Sequence, residues 1–348
     1  MTWLVWRQHR KQALFALLGL AALAAFMVPT GLQMHDAFRR AGLDDCLPAA
    51  ARVESVRVSP DPEQPPDAVH ACQELADQFT GRYGSLGVAG VLLWFLPLLA
   101  GMFWGAPLVA REVEHGTHRL VWTQGVSRRR WALVKLGLVG GGVVLAAACY
   151  ALLVTWWRAP LDQATGQRFL SPGASFDLEG LVPVGYTLFA LALGVFAGVL
   201  TRRTLPAMAV TLVGFLAARL AVELLARPRF LAPLRRTFPV LGDMTSNKLT
   251  GDWVVRAGVC GADGARLRGG VFGNFSYANC PEPPTSVAAA PTTASPCMAE
   301  FGPGAYNLEL FHPAGRYWLF QGIETALFVA LAVLLLLAAV HWVRRRIA

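Results

Sequence analysis

The stretch FQGIETALFVALAVLLLLAAVHW, residues 320–342, contains a single charged side chain, Glu324, in 23 positions. At ~1.5 Å of rise per residue a helix of that length crosses a hydrocarbon core ~30 Å thick. In lipid the backbone must satisfy its own polar groups, so such a run is helical. Moving outward from it, five more windows share the property: 12–31, 86–109, 131–157, 181–200 and 206–226. The first reads QALFALLGLAALAAFMVPTG. The chain as a whole is 55% hydrophobic and 15% charged, against roughly 25% charged in soluble domains. The expectation is an all-α integral membrane protein, one transmembrane domain over 1–348, with six spans, both termini cytoplasmic and large external loops.

Three long polar segments separate the spans (32–85, 158–180 and 227–319), and two short basic connections join spans 2 and 3 and spans 4 and 5. Orientation follows from where the arginines lie. The N-terminus holds Arg7, Arg10 and Lys11. The first short connection holds Arg111, Arg119, Arg128, Arg129, Arg130 and Lys135, and the second Arg202 and Arg203. The C-terminus ends in Arg344, Arg345 and Arg346. These 14 basic residues face two acidic ones, Glu112 and Glu114, so this side is cytoplasmic. The opposite side carries no basic excess. Arg227, Arg229, Arg235 and Arg236 are a local exception just beyond span 5. The net charge of +9 therefore reflects membrane orientation and not nucleic-acid binding. Trp156, Trp157, Tyr317 and Trp318 at the outer edges, and Trp131 and Trp342 at the inner, fit amphipathic rings at headgroup level.

Span 1 has the basic flank and Ala-rich end of a signal peptide, but its apolar run continues through Phe26, Met27 and Val28. It reads as an uncleaved anchor. The external segments are rich in Pro, Gly, Ala and Thr. PEPPTSVAAAPTTASP, 281–296, has a composition that resists a packed core and is expected to be mobile. The predominance of Arg over Lys, with abundant Ala, Gly and Leu, points to a bacterial genome of high GC content.

Five of the six cysteines fall on the external, oxidising side. The simplest pairing joins cysteines within one segment: Cys46 with Cys72 and Cys280 with Cys297. Cys260 is then left over, and spacing alone also allows Cys260 with Cys280. Cys149, inside span 3, reads as a small buried apolar residue.

Catalytic signatures are missing. No G-x-x-x-x-G-K-[ST] phosphate loop or H-E-x-x-H occurs. Gly140, Gly141 and Gly142 lie in an apolar span, where small residues permit close helix packing. Glu112, Glu114, His115 and His118 cluster in EVEHGTH, but no further ligands lie nearby, and no metal site is assigned. The expectation is that the chain is not itself an enzyme and holds no cofactor. Inside the spans, Arg219 and Glu223 lie one helical turn apart in span 5, and Glu324 lies early in span 6. Intramembrane charge is costly and usually paired. These three either line a pathway or form a structural ion pair.

The most informative stretch is FWGAPLVAREVEHGTHRLVWTQGVSRRRWALVK, from Phe103 to Lys135. Its order is span, charged exit, short helical segment, polar turn, basic cluster, span. The pattern ARE-x-E-x-GT-x-x-L-x-W-TQ-x-x-SR-x-RW-x-x-x-K resembles the permease subunits of ABC-2-type (type V) exporters, particularly a group common in actinobacteria. TWLVWRQHRKQ at the N-terminus is similar to the amphipathic helix leading into their first span. FHPAGRYWLFQGIETALF is similar to their approach to the last. The likeness covers all six spans, and the external segments match poorly. It implies that Arg111, Glu112, Glu114, Gly116, Thr117, Arg128, Arg129 and Arg130 belong to a coupling loop against a separate ATPase subunit, which would hold ATP and Mg. It also implies a homodimer in a bacterial plasma membrane, exporting a cargo. An ion-driven secondary transporter and a non-transporting membrane sensor or anchor are the rival readings. The first would show broken helices and midplane acids. The second would show a compact folded external domain.

Overall fold

The computed structural model describes residues 2–56, 66–115, 128–166, 175–239, 251–260, 266–270 and 306–346. Among these residues, six helices are long and apolar enough to cross a membrane: His9–Arg40, Leu93–Glu114, Leu133–Thr165, Val182–Thr201, Thr204–Arg229 and Ala314–Val343. Each overlaps one of the six windows above, with bounds that differ by up to nine residues. We call the end of the bundle that bears the short basic connections inner and the opposite end outer. Large apolar side chains such as Leu145, Leu152, Leu205 and Leu337 are exposed along these helices, as lipid-facing positions require.

Span 1 lies within α1 (Thr2–Arg40) and span 3 within α6 (Arg128–Thr165). Helices of 39 and 38 residues run ~57–59 Å at ~1.5 Å per residue, so both outlast the bilayer. The excess stands outside and is covered by α2 (Leu43–Val56) and α3 (Pro66–Ala89). The segment 32–85, expected to be a polar loop, is thus largely helical. Its apolar residues carry the reason: Leu43, Cys46, Leu47 and Ala50, then Cys72, Ala76, Phe79 and Tyr83, recur at helical spacing. Leu43, Cys46, Leu47, Ala76, Phe79 and Tyr83 pack with Met34, Phe38, Trp157 and Leu161 into an outer helical cluster, and Ala50 and Cys72 join Cys46 and Leu47 beside it. A disulfide joins Cys46 to Cys72 with a Cα–Cα distance of 5.8 Å.

Span 2 is assembled from pieces. A 3-10 segment follows α3, then come α4 (Leu96–Ala100), a π-helical turn at Gly101–Gly105 and α5 (Ala106–Glu114). Span 4 is α7 (Val182–Thr201) and span 5 opens with α8 (Thr204–Ala221). A second π-turn, Val222–Ala226, extends span 5 toward Arg227. Span 6 is α9 (Tyr317–Arg346). Span 4 is the hub: 67% of its most apolar window is buried, against 6% for span 1.

Spans 2 and 4 meet through glycines. A Cβ on Gly101 would lie 2.5 Å from the Ala190 carbonyl oxygen, and one on Gly198 2.6 Å from that of Ala106. Both spans carry G-x-x-x-G, Gly101 with Gly105 and Gly194 with Gly198, which lets backbones touch. The glycines expected to do this in span 3 do not. A Cβ on Gly141 or Gly142 would meet nothing within 4 Å, and one on Gly140 only the tip of Leu191.

The segment 227–319 also departs from expectation. Its described residues form a four-stranded antiparallel sheet in the order β1-β4-β2-β3, with β1 Leu234–Pro239, β2 Trp253–Cys260, β3 Arg266–Gly270 and β4 Tyr306–His312. Arg236 of β1 reaches Glu309 of β4 at 2.8 Å and Asp252 at 3.3 Å. The rings of Trp253 and His312 meet that of Phe320, the first edge-on and the second tilted, which seats the sheet on the start of span 6. Residues 281–296, Cys280 and Cys297 lie outside the described residues.

Candidate functional sites at the two ends of the bundle

At the inner end, span 2 finishes in Arg111–Glu114, and three of the coupling residues have described side chains. Glu112 accepts a hydrogen bond from the Lys135 ammonium of span 3 at 2.5 Å, and Lys135 is buried there. Glu114, on the next face of the helix, turns to span 5. Its Oε2 accepts from the Thr204 backbone N–H at 3.0 Å and from the Thr204 hydroxyl at 2.8 Å. His115 closes α5 by bonding back to the Arg111 carbonyl, and Arg111 itself is exposed. Gly116, Thr117 and His118 lie outside the described residues, and Arg128, Arg129 and Arg130 open α6. Two neighbouring carboxylates therefore tie the end of span 2 to the starts of spans 3 and 5.

At the outer end, the intramembrane charges have partners in segments whose composition reads as external loop. Arg219 pairs with Asp177 at 2.9 Å, not with Glu223 one turn along its own helix. Arg227 binds Asp177 at 2.5 Å and Glu324 at 2.8 Å. The Tyr186 hydroxyl donates toward Glu324 and lies 3.0 Å from Asp177. All five groups are buried, and two positive charges face two negative ones, the condition under which buried charge is tolerated. The Arg219 guanidinium is also sandwiched between the rings of Trp94 and Tyr186, at 3.8 and 4.2 Å from their centroids. Arg219 and Glu324 thus join an ion-pair network that spans several elements, and the pairing of Arg219 with Glu223 within one helix is not formed.

The loop that supplies Asp177 is itself buried. Residues 175–179 pack inside the outer ends of the helices, at the end of the bundle where 158–180 was expected. Arg158, in the extension of α6, binds Glu179 at 2.9 Å and Asp162 at 3.3 Å, and donates to Ser175. Gln321 of span 6 accepts from the Leu181 and Val182 N–H groups at 3.0 Å each and donates to the Phe176 carbonyl. The start of span 4 is thus capped by a side chain from span 6. Two signals could have exposed this network. FDLEG alternates apolar and acidic residues immediately before an apolar span, and Arg227 follows Arg219 by eight positions, about two helical turns.

Six helices able to span a bilayer among the described residues, tied by polar side chains at both ends, define a polytopic membrane protein. Residues 17–227 match the model of a family described as ABC-2 membrane transporter related, more than half of the chain. The chain belongs to that family and is a multi-pass membrane permease of ABC-transporter type. No curated protein and no solved structure matches it. The matched segment contains the Glu112 and Glu114 ties and ends on Arg227; the sheet and span 6 lie beyond it.

Proposed function

We propose that this chain is the membrane-spanning subunit of an ATP-driven exporter. It works as a homodimer with two separate ATPase subunits, which hold ATP and Mg. The whole chain, 1–348, is one transmembrane domain in a bacterial plasma membrane, of the actinobacterial group whose motif it resembles. The observation that carries the reading is the pair of ties at the inner end of span 2. Glu112 grips span 3 and Glu114 grips span 5 at the point where the resemblance puts the coupling loop. A push delivered there by closure of the ATPase subunits reaches three spans at once. A pathway at the dimer interface would then open alternately to the two sides. Such coupling needs an element with two positions that the partner biases. The external sheet favours the sensor reading, since it supplies a folded external unit, but family membership in a transporter group weighs more.

The test is co-purification with an ATPase encoded beside this chain. Gly116→Trp and Glu114→Lys are expected to leave the protein inserted, and to reduce ATPase recovery or to uncouple ATP hydrolysis from export. Normal recovery and export in both variants would make the loop an inert connector.

A further inference from the structure

A helix leaves its first backbone N–H groups without intrahelical partners, and a short polar side chain at the N-cap usually takes one. Span 5 lacks that arrangement. It begins at Thr204 after Arg202, which is left-handed with φ 57°, and Arg203, which is extended and supplies no capping side chain. Glu114 stands in for the missing cap from a different helix, 90 residues away in sequence, and receives both the Thr204 N–H and its hydroxyl. The same end of span 2 is fused to span 4 by the glycine contacts. Cβ atoms on Gly194 or Gly198 would strike the backbone of Ala106. Ala106, Ala110, Ala197 and Ala207 close the junction of spans 2, 4 and 5 as one buried cluster.

We propose that Glu114 is a positioning residue that carries displacement of the inner end of span 2 into span 5, so that spans 2, 4 and 5 shift as one body. This deepens the exporter reading and rests on it. It gives the carboxylate an inward role, as a helix cap, where the resemblance alone would aim its charge at the ATPase. The two roles make opposite predictions for Glu114→Gln, because the amide oxygen still accepts both bonds while the charge is gone.

The test uses the full chain with its ATPase subunit in lipid nanodiscs. Spin labels replace Val213 on span 5 and Leu17 on span 1, both of which are exposed, span 1 being outside the two ties at the end of span 2. In the wild type, ATP is expected to change the distance between labels. Glu114→Ala should abolish the change while the ATPase still co-purifies, Thr204→Val should diminish it, and Glu114→Gln should retain it. A full change in Glu114→Ala, or a loss in Glu114→Gln as complete as in Glu114→Ala, overturns the proposal. No response to ATP in the wild type overturns the exporter reading, and the proposal with it. Should Glu114→Ala fail to assemble, hydrogen exchange on the chain by itself decides the cap. Amides in the first turn of α8 should exchange about fivefold faster in Glu114→Ala and at the wild-type rate in Glu114→Gln, as loss of an N-cap implies. Equal rates in all three sink it.

Discussion

Asp177 is the residue on which the outer network turns. Its two oxygens meet Arg219 and Arg227; without it Arg227 still has Glu324, but Arg219 loses the one ion-pair partner it has among the described residues. Removing one member of a buried pair leaves an uncompensated charge at a cost of ~3–5 kcal/mol. Asp177→Ala is therefore expected to lower the detergent melting temperature markedly. Asp177→Asn, which keeps an acceptor but loses the charge, should cost less. A melting curve for Asp177→Ala indistinguishable from wild type would mean that the network contributes nothing to stability. Arg219 and Glu324 were visible in the sequence as charges inside apolar windows. Their partners were not, because Asp177 sits in a stretch whose composition reads as loop and Arg227 lies just beyond the end of span 5.

Among the elements, spans 2 and 4 show how a helix pair is set by absent side chains. At Gly198 a methyl group would sit 2.6 Å from a carbonyl oxygen of the facing backbone, a contact relieved only by moving a helix. Gly198→Ala is expected to destabilise by ~1–3 kcal/mol, the usual cost of overpacking. Gly141→Ala, with nothing within 4 Å, should be neutral or slightly stabilising, since Ala exceeds Gly in helix propensity by ~1 kcal/mol. Paired thermal melts of the two variants check the contrast; equal effects would refute the assigned interface. A triple glycine in span 3 drew attention in the sequence, yet the contact is made by two G-x-x-x-G pairs in other spans. Spacing marks a helix face as smooth, but which smooth face meets which is decided by the positions of whole helices. The outer helices α2 and α3 are the opposite case. Their apolar residues recur at helical spacing, and the Pro and charge content of 32–85 hid a pattern that was legible.

For the whole molecule, topology is the property with the simplest test. Alkaline phosphatase fused after residue 60 should be active and after residue 120 inactive, because the first falls in an external segment and the second in the basic connection between spans 2 and 3. The reverse result would invert the orientation drawn from the arginines. The number of spans and their approximate positions were legible in the sequence alone, and the arginines give the orientation expected of them. Each depends on the hydrophobicity and charge of one short window against a bilayer, a local quantity that needs no knowledge of neighbours. The Cys46–Cys72 bridge was also accessible, since two cysteines in one external segment have few alternatives. The partners of Arg219, Glu324 and Glu114, the cap that Gln321 places on span 4, and the sheet seated on span 6 were decided only by the tertiary structure. Each joins residues tens to hundreds of positions apart, and a buried charge or an uncapped helix end takes whichever complementary group the packing brings within ~3 Å. That choice is a property of the assembled bundle and is written in no single window of the chain.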